Sequence, residues 1–203
     1  MGLELWHCKG ARSLRVLWAL EELGLEYTLH VLPFPPRFQT PNYLDINPLG
    51  TVPFFRDGNV GMTESCAICH YLAVRHSEGR LAIPEAHAEF GPFLNWLHHA
   101  DATLTFPQTL VLRYGRFEPE ERRQPQIVED YSRWFLARLK LLDAHLHGRD
   151  YLCDSRFTVA DIAVGYAVHL GAVLGLGEQF SPRIKSYLAR LTEREAFVRA
   201  SAK

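Results

Sequence analysis

The stretch Asn47-Pro48-Leu49-Gly50-Thr51-Val52-Pro53 narrows most what this chain can fold into. Proline presets one backbone angle and glycine accepts conformations other residues avoid, so Asn47 to Gly50 reads as a turn. Residues 51–55 are apolar and rich in β-formers, the composition of a short strand. Pro53 has no N–H to give to a ladder, which confines that strand to a sheet edge or starts it near the proline. Thr63-Glu64-Ser65 follows, directly ahead of residues 66–74, which read as a helix. A helix N-terminus presents unpaired N–H groups and a partial positive charge, which suit a carboxylate. Ser65 adds a hydroxyl donor, and the Glu64 carboxylate can take an ammonium group. That is the pair of partners an α-amino acid head needs. Plain helix capping by Thr63 or Ser65 is the alternative reading.

Elements on either side extend the pattern. Residues 3–7 alternate as a half-buried strand, and residues 12–23 place Leu14, Val16, Leu17, Leu20 and Leu23 at helical spacing before Gly24, a natural stop. Residues 26–32 read as a second strand. The pattern changes after Gly79: residues 80–87 have linker character, and helical periodicity fills 88–203. Residues 89–114 form an apolar-striped helix that Pro107 is expected to kink or break. Residues 126–147 form a strongly amphipathic one. Thr158 with Asp161 three residues on makes a capping box, with aspartate in place of the usual Glu or Gln. The run that follows, Ile162 to Val168, is apolar nearly all round, so this helix is expected at the centre of its domain.

The Val52-Pro53 and Glu64-Ser65 elements, the helix Arg12-Ser13-Leu14-Arg15-Val16-Leu17-Trp18-Ala19-Leu20-Glu21-Glu22-Leu23-Gly24 and the Thr158-x-x-Asp161 box occur in order. Together they resemble the glutathione S-transferase family across nearly the whole chain. The resemblance implies an α/β thioredoxin-like domain at 1–79, a linker at 80–87 and an all-α domain at 88–203. It implies a cis bond at Val52-Pro53, with the Val52 backbone pairing the cysteinyl part of glutathione. Glu64 and Ser65 would hold the γ-glutamyl head, Gln39 and Thr51 the glycyl end, and Asp101 would reach glutathione across a homodimer. Many relatives carry lysine where Thr51 stands. A small hydrophobic electrophile would lodge between the domains near Phe34, Phe38, Phe106, Leu110 and Tyr114.

The start of the first helix departs from the family pattern. Relatives with a catalytic serine carry it where this chain has Ala11, and those with a catalytic cysteine carry it where this chain has Arg12. Three groups are candidates for thiol activation. Ser13 lies in the first helical turn, Arg12 supplies positive potential together with the helix N-terminus, and Cys8 could form a mixed disulfide. Thiolate stabilisation by electrostatics, without one dedicated side chain, is the expected mechanism. Ser13 as a cap and Cys8 as a packed strand-end residue are the structural alternatives.

Composition bounds the rest. The 203 residues carry a net charge of −1 with no basic stripe, which gives no support to nucleic-acid binding. Four cysteines make no secreted disulfide framework, no export signal is visible, and no apolar run is long enough to span a membrane. These features point to a reducing cytoplasm. Cys66-Ala67-Ile68-Cys69-His70 fits the c-type haem pattern, but without export haem is not expected, and no second cysteine pair completes a zinc site. His98 and His99 are adjacent on a helix and point about 100° apart, so they cannot easily share an ion. No metal is expected. The function expected is conjugation of glutathione to an electrophile. A glutathione-dependent peroxidase or disulfide reductase, or a non-catalytic glutathione-binding protein, are the alternatives.

Overall fold

Period-two alternation puts Leu5 and Phe55 on one side of a sheet and Trp6 and Phe54 on the other. The computed structural model describes residues 2–203. Its first unit comprises Met1–Ala82 and Thr192–Lys203, its second Ile83–Leu191.

In the first unit, strands β1 (Leu3–His7), β2 (Tyr27–Val31), β3 (Phe54–Asp57) and β4 (Val60–Met62) lie in the order β2-β1-β3-β4. β1 and β2 are parallel, joined by helix α1 (Ser13–Leu23), and the other pairs are antiparallel. Two short helices, α2 (Pro36–Gln39) and α3 (Tyr43–Ile46), lead to β3, and α4 (Ser65–His76) follows β4. Gly24 ends α1 in the left-handed conformation, as expected of a glycine stop. β3 starts one residue after Pro53, later than residues 51–55 suggest, because the proline has no N–H for the ladder. Leu5 and Phe55 are fully buried on the α4 side, where Phe55 meets Tyr71 edge-on. On the opposite face Trp6 stacks on His30 at 4.4 Å and lies under the Arg56 guanidinium.

The C-terminal helix α10 (Glu195–Ala202) belongs to this unit. Phe197 packs edge-on against Trp18 at 4.8 Å, and Arg194 forks onto Glu22 at 2.5 and 2.8 Å. Glu21 collects Arg199 and Lys203 at 2.8 and 2.6 Å. Partial burial pushes the Glu21 carboxyl up, but hydrogen bonds from Lys203, Tyr27 and Arg199 outweigh it and hold the group down at about 2.

The second unit contains α5 (Phe90–His98), α6 (Phe106–Leu112), α7 (Pro125–His145), α8 (Val159–Val173) and α9 (Pro182–Thr192). Pro107 does not end its helix. The chain widens into a π-helix at His99–Thr105 just ahead of it and again at Arg113–Phe117. α8 is buried over nearly its whole length, as its apolar run requires. A methyl group on Gly171 of α8 would lie 2.5 Å from the buried Phe135 ring of α7, so the glycine permits this close crossing. The capping box forms: Thr158 accepts from Ala160 N–H, and Asp161 accepts from Thr158 N–H at 2.9 Å. Among the described residues, no helix is long and apolar enough to cross a membrane.

Candidate functional site

The loop into β3 is built to hold one peptide plane. Asn47 is buried, and its side-chain amide donates to the Thr51 carbonyl at 2.8 Å. Its Oδ1 accepts from Leu49 N–H and its carbonyl from Gly50 N–H, closing the turn. The buried Tyr43 hydroxyl donates to the same Thr51 carbonyl at 2.7 Å. Carbonyl and following N–H point in opposite directions across a trans peptide, so a Thr51 carbonyl clamped inward aims the Val52 N–H outward. Among the described residues no protein group takes that N–H. The bond Val52-Pro53 is cis, as expected; Phe34-Pro35 is cis as well, which the sequence reading did not anticipate. Pro53 is buried and Val52 half-buried.

Gly50 allows this loop to close. Its φ is +67°, and an added Cβ would stand 2.9 Å from Arg37 Cβ and 3.0 Å from Leu44 Cδ2. Gly50→Ala is expected to cost about 2 kcal/mol of stability in urea unfolding, the left-handed penalty plus crowding. Gly58→Ala is the control, since Gly58 has φ +57° and open space. Equal losses at the two positions would show that crowding at Gly50 is immaterial.

Next in the chain after β3 and β4 is the mouth of α4. Glu64 occupies the N-cap position with extended backbone, and Ser65 is the first helical residue. No side chain caps the helix, so neither Thr63 nor Ser65 plays that part. Glu64 is exposed, with Thr63 Oγ1 at 3.5 Å. Ser65 is buried, and Arg15 from α1, fully buried, donates from Nη1 to its Oγ at 3.1 Å. Burial first, and Cys66 second, push the Cys69 thiol up one turn along α4; the charge on Arg15 opposes them.

The third part is the turn between β1 and α1. Ala11 N–H bonds the Cys8 carbonyl at 3.0 Å, and Gly10 at φ +73° carries the chain round. Arg12 precedes α1, half-exposed. Ser13 lies beneath the surface with no exposed area, its Oγ 2.9 Å from His7 Nδ1 and 3.3 Å from Cys8 N. Its hydroxyl is thus turned to the strand end. Burial, assisted by Lys9, lowers the His7 imidazole to about 4. Cys8 is buried with its thiol 3.7 Å from the Pro33 carbonyl, and burial pushes it up to about 11, far from a reactive thiolate.

The remaining candidates are spread over both units. Gln39 is exposed on α2 and donates to the Phe34 carbonyl at 2.9 Å; Thr51 is half-buried. Phe34 and Phe38 are exposed in the first unit, Phe38 at 81%. In the second unit Phe106 is exposed, and Leu110, Tyr114 and Asp101 are half-buried. His98 is exposed, whereas His99 is half-buried and packs edge-on against Trp96. No group of three or more His, Cys, Asp or Glu suited to a metal occurs among the described residues. Sequence reasoning took Asn47 only as a turn former and did not single out Arg15 or Tyr43. An asparagine opening a turn that accepts its own downstream amide was a usable signal for Asn47. Nothing local pointed to Arg15.

Comparison with known proteins shows the family. Residues 11–75 match the family described as Glutathione S-transferase, N-terminal domain, and residues 108–195 match Glutathione S-transferase, C-terminal domain. The chain is 25% identical to glutathione S-transferase 3 of Schizosaccharomyces pombe, covering 95% of this chain and 84% of that one. It is 32% identical to elongation factor 1-gamma of Sus scrofa, over 75% of this chain but 35% of that longer protein. A crystal structure of a glutathione transferase from Burkholderia graminis, with two glutathione molecules bound per subunit, superposes with a TM-score of 0.86. Identity there is 25%, with coverage of 100% of this chain and 88% of that one.

Proposed function

We propose that this chain, which belongs to the glutathione S-transferase family, binds glutathione and conjugates its thiol to a small hydrophobic electrophile. The observation that carries the reading is the Val52 N–H, aimed outward by the clamp on the Thr51 carbonyl and taken by no protein group among the described residues. An extended peptide pairs its backbone with such an amide as an added strand does. In this reading the cysteinyl unit of glutathione pairs with Val52. Glu64 takes the γ-glutamyl ammonium, and Ser65 with the first amides of α4 takes its carboxylate. Gln39 and Thr51 meet the glycyl end, and Asp101 approaches glutathione from the second subunit of a homodimer.

The thiol is directed to the start of α1. Arg12 and the N-terminal amides stabilise the thiolate there, lowering the thiol pKa as positive potential does. Ser13 and Cys8 lie under that turn, so Ser13 acts in this reading by holding the turn through His7 and the Cys8 backbone. The thiol proton leaves to solvent, the thiolate forms a C–S bond to the electrophile, and the leaving group departs with its electron pair. Catalysis is by positioning and pKa lowering.

The likeness to an elongation factor, with Ala11 where relatives carry serine, favours one second reading: a glutathione-binding protein without conjugating activity. Ultraviolet difference absorbance of glutathione titrated onto the protein across pH separates the two, because the thiolate absorbs where the thiol does not. The expected result is saturable binding with ionisation well below the free thiol's pKa. Saturable binding by tryptophan fluorescence with no thiolate signal at neutral pH would overturn conjugation and leave the binding reading.

A further inference from the structure

Arg15 stands on α1, yet its guanidinium reaches the first residue of α4, fifty residues later, and is shielded from solvent throughout. A buried charge is costly, and a guanidinium is charged at every accessible pH. Its position is therefore a strong constraint on what the surrounding groups can do. Arginine has donors and no acceptor, which fixes the sense of the 3.1 Å bond: Ser65 Oγ accepts. A serine hydroxyl has one proton and rotates freely when unconstrained. With Arg15 on its lone pair, the proton of Ser65 is directed away from the cation. Ser65 is held as a donor.

The same cation also adds charge where the helix already has it. Its field reaches Cys69, on the same face of α4 one turn beyond Ser65. α4 is twelve residues long and carries no side-chain cap, so its positive end also lies at Ser65. Positive potential thus converges behind Ser65, while the exposed carboxylate of Glu64 stands beside it. An ammonium at Glu64 and a carboxylate at Ser65 satisfy both poles, and a head group without the carboxylate satisfies only one.

We propose that Arg15 is the positioning residue of the γ-glutamyl subsite: by fixing Ser65 as a donor and backing it with charge, it makes the site select peptides whose head carries a free α-carboxylate. This rests on the glutathione reading above. Two ligands separate the effects: glutathione, and 4-aminobutyryl-cysteinylglycine, which keeps the ammonium and loses only the α-carboxylate. Dissociation constants are measured by calorimetry for the full chain and for Arg15→Met, Arg15→Lys and Ser65→Ala. The unsubstituted protein is expected to prefer glutathione by about tenfold or more, the scale of one charge-assisted hydrogen bond. In Arg15→Met that preference falls several-fold, because glutathione weakens and the analogue does not, while the first amides of α4 keep the remainder. Arg15→Lys, which keeps charge with a different donor geometry, falls between, and Ser65→Ala matches Arg15→Met. The ratio of the two constants does not depend on the folded fraction, and Arg15→Lys and Ser65→Ala decide the matter if Arg15→Met fails to fold. Both ligands weakening together in the Arg15 variants would make Arg15 a packing residue and leave the glutathione reading standing. An unsubstituted protein that binds neither ligand overturns both.

Discussion

Asp161→Ala is expected to destabilise the second unit by about 3–5 kcal/mol, enough to leave much of it unfolded at ambient temperature. The carboxylate is fully buried and accepts four hydrogen bonds. Thr158 N–H and Oγ1 donate at 2.9 and 3.1 Å, Leu152 N–H at 3.0 Å and the buried Tyr187 hydroxyl at 3.0 Å. One residue therefore caps α8, anchors the segment before it and fixes α9 through Tyr187. Alanine leaves these donors buried without an acceptor, which costs more than the bonds themselves contribute. An ordinary lost cap costs only about 1 kcal/mol, so magnitude distinguishes a network from a cap. Tyr187→Phe removes one donor and is expected to cost about 1 kcal/mol, and Asp161→Asn, which keeps one acceptor oxygen, should fall between. Urea unfolding monitored by circular dichroism measures all three. A loss for Asp161→Ala no larger than that for Tyr187→Phe would reduce the network to a simple cap. Glutathione affinity per folded molecule should be unchanged, since the proposed contacts Val52, Glu64 and Ser65 lie in the first unit.

The capping box was legible because its two members are three residues apart, and local spacing is what a sequence displays directly. The Val52-Pro53 turn and the apolar run of α8 were legible for the same reason. β4 was not placed, being only three residues long, although Gly58-Asn59 between β3 and β4 is a recognised hairpin signal. Other features depend on residues far apart in the chain. Arg15 reads in sequence as one more charge on an amphipathic helix, and only packing of α1 against α4 buries it beside Ser65. The grouping of Thr192–Lys203 with the first unit depends on Glu21 and Glu22 meeting Arg194, Arg199 and Lys203 some 170 residues later. No periodicity encodes that pairing. The orientation of Ser13 was hidden too: its place in the first turn was evident, but only the register of β1 shows that His7 stands in front of its hydroxyl.

That buried pair leads to the second large effect, an acid loosening of the first unit between pH 6.5 and about 4. His7 is almost wholly inaccessible, and burial, with Lys9 adding to it, favours the neutral ring. Above pH 6.5 the ring is neutral in folded and unfolded chains alike, and below about 4 it is protonated in both. Between those limits only the unfolded chain holds the proton, so stability falls as pH drops through the window and levels off beneath it. The expected loss is roughly 3 kcal/mol. Protonation also makes both ring nitrogens donors, so Ser13 Oγ would have to accept where a neutral ring lets it donate to Nδ1. The hydroxyl also bonds the Cys8 backbone, and the turn carrying Ala11 and Arg12 is closed from Cys8. Loosening should therefore reach the start of α1 before the unit unfolds. His7→Asn keeps an acceptor near Nδ1 and removes the titration. Its unfolding free energy, measured by urea between pH 7 and 4, should decline less than that of the unsubstituted chain, by about the same 3 kcal/mol. Carboxylates titrate in both proteins and cancel in the comparison. Parallel stability profiles would mean that the His7 proton is not what the fold excludes.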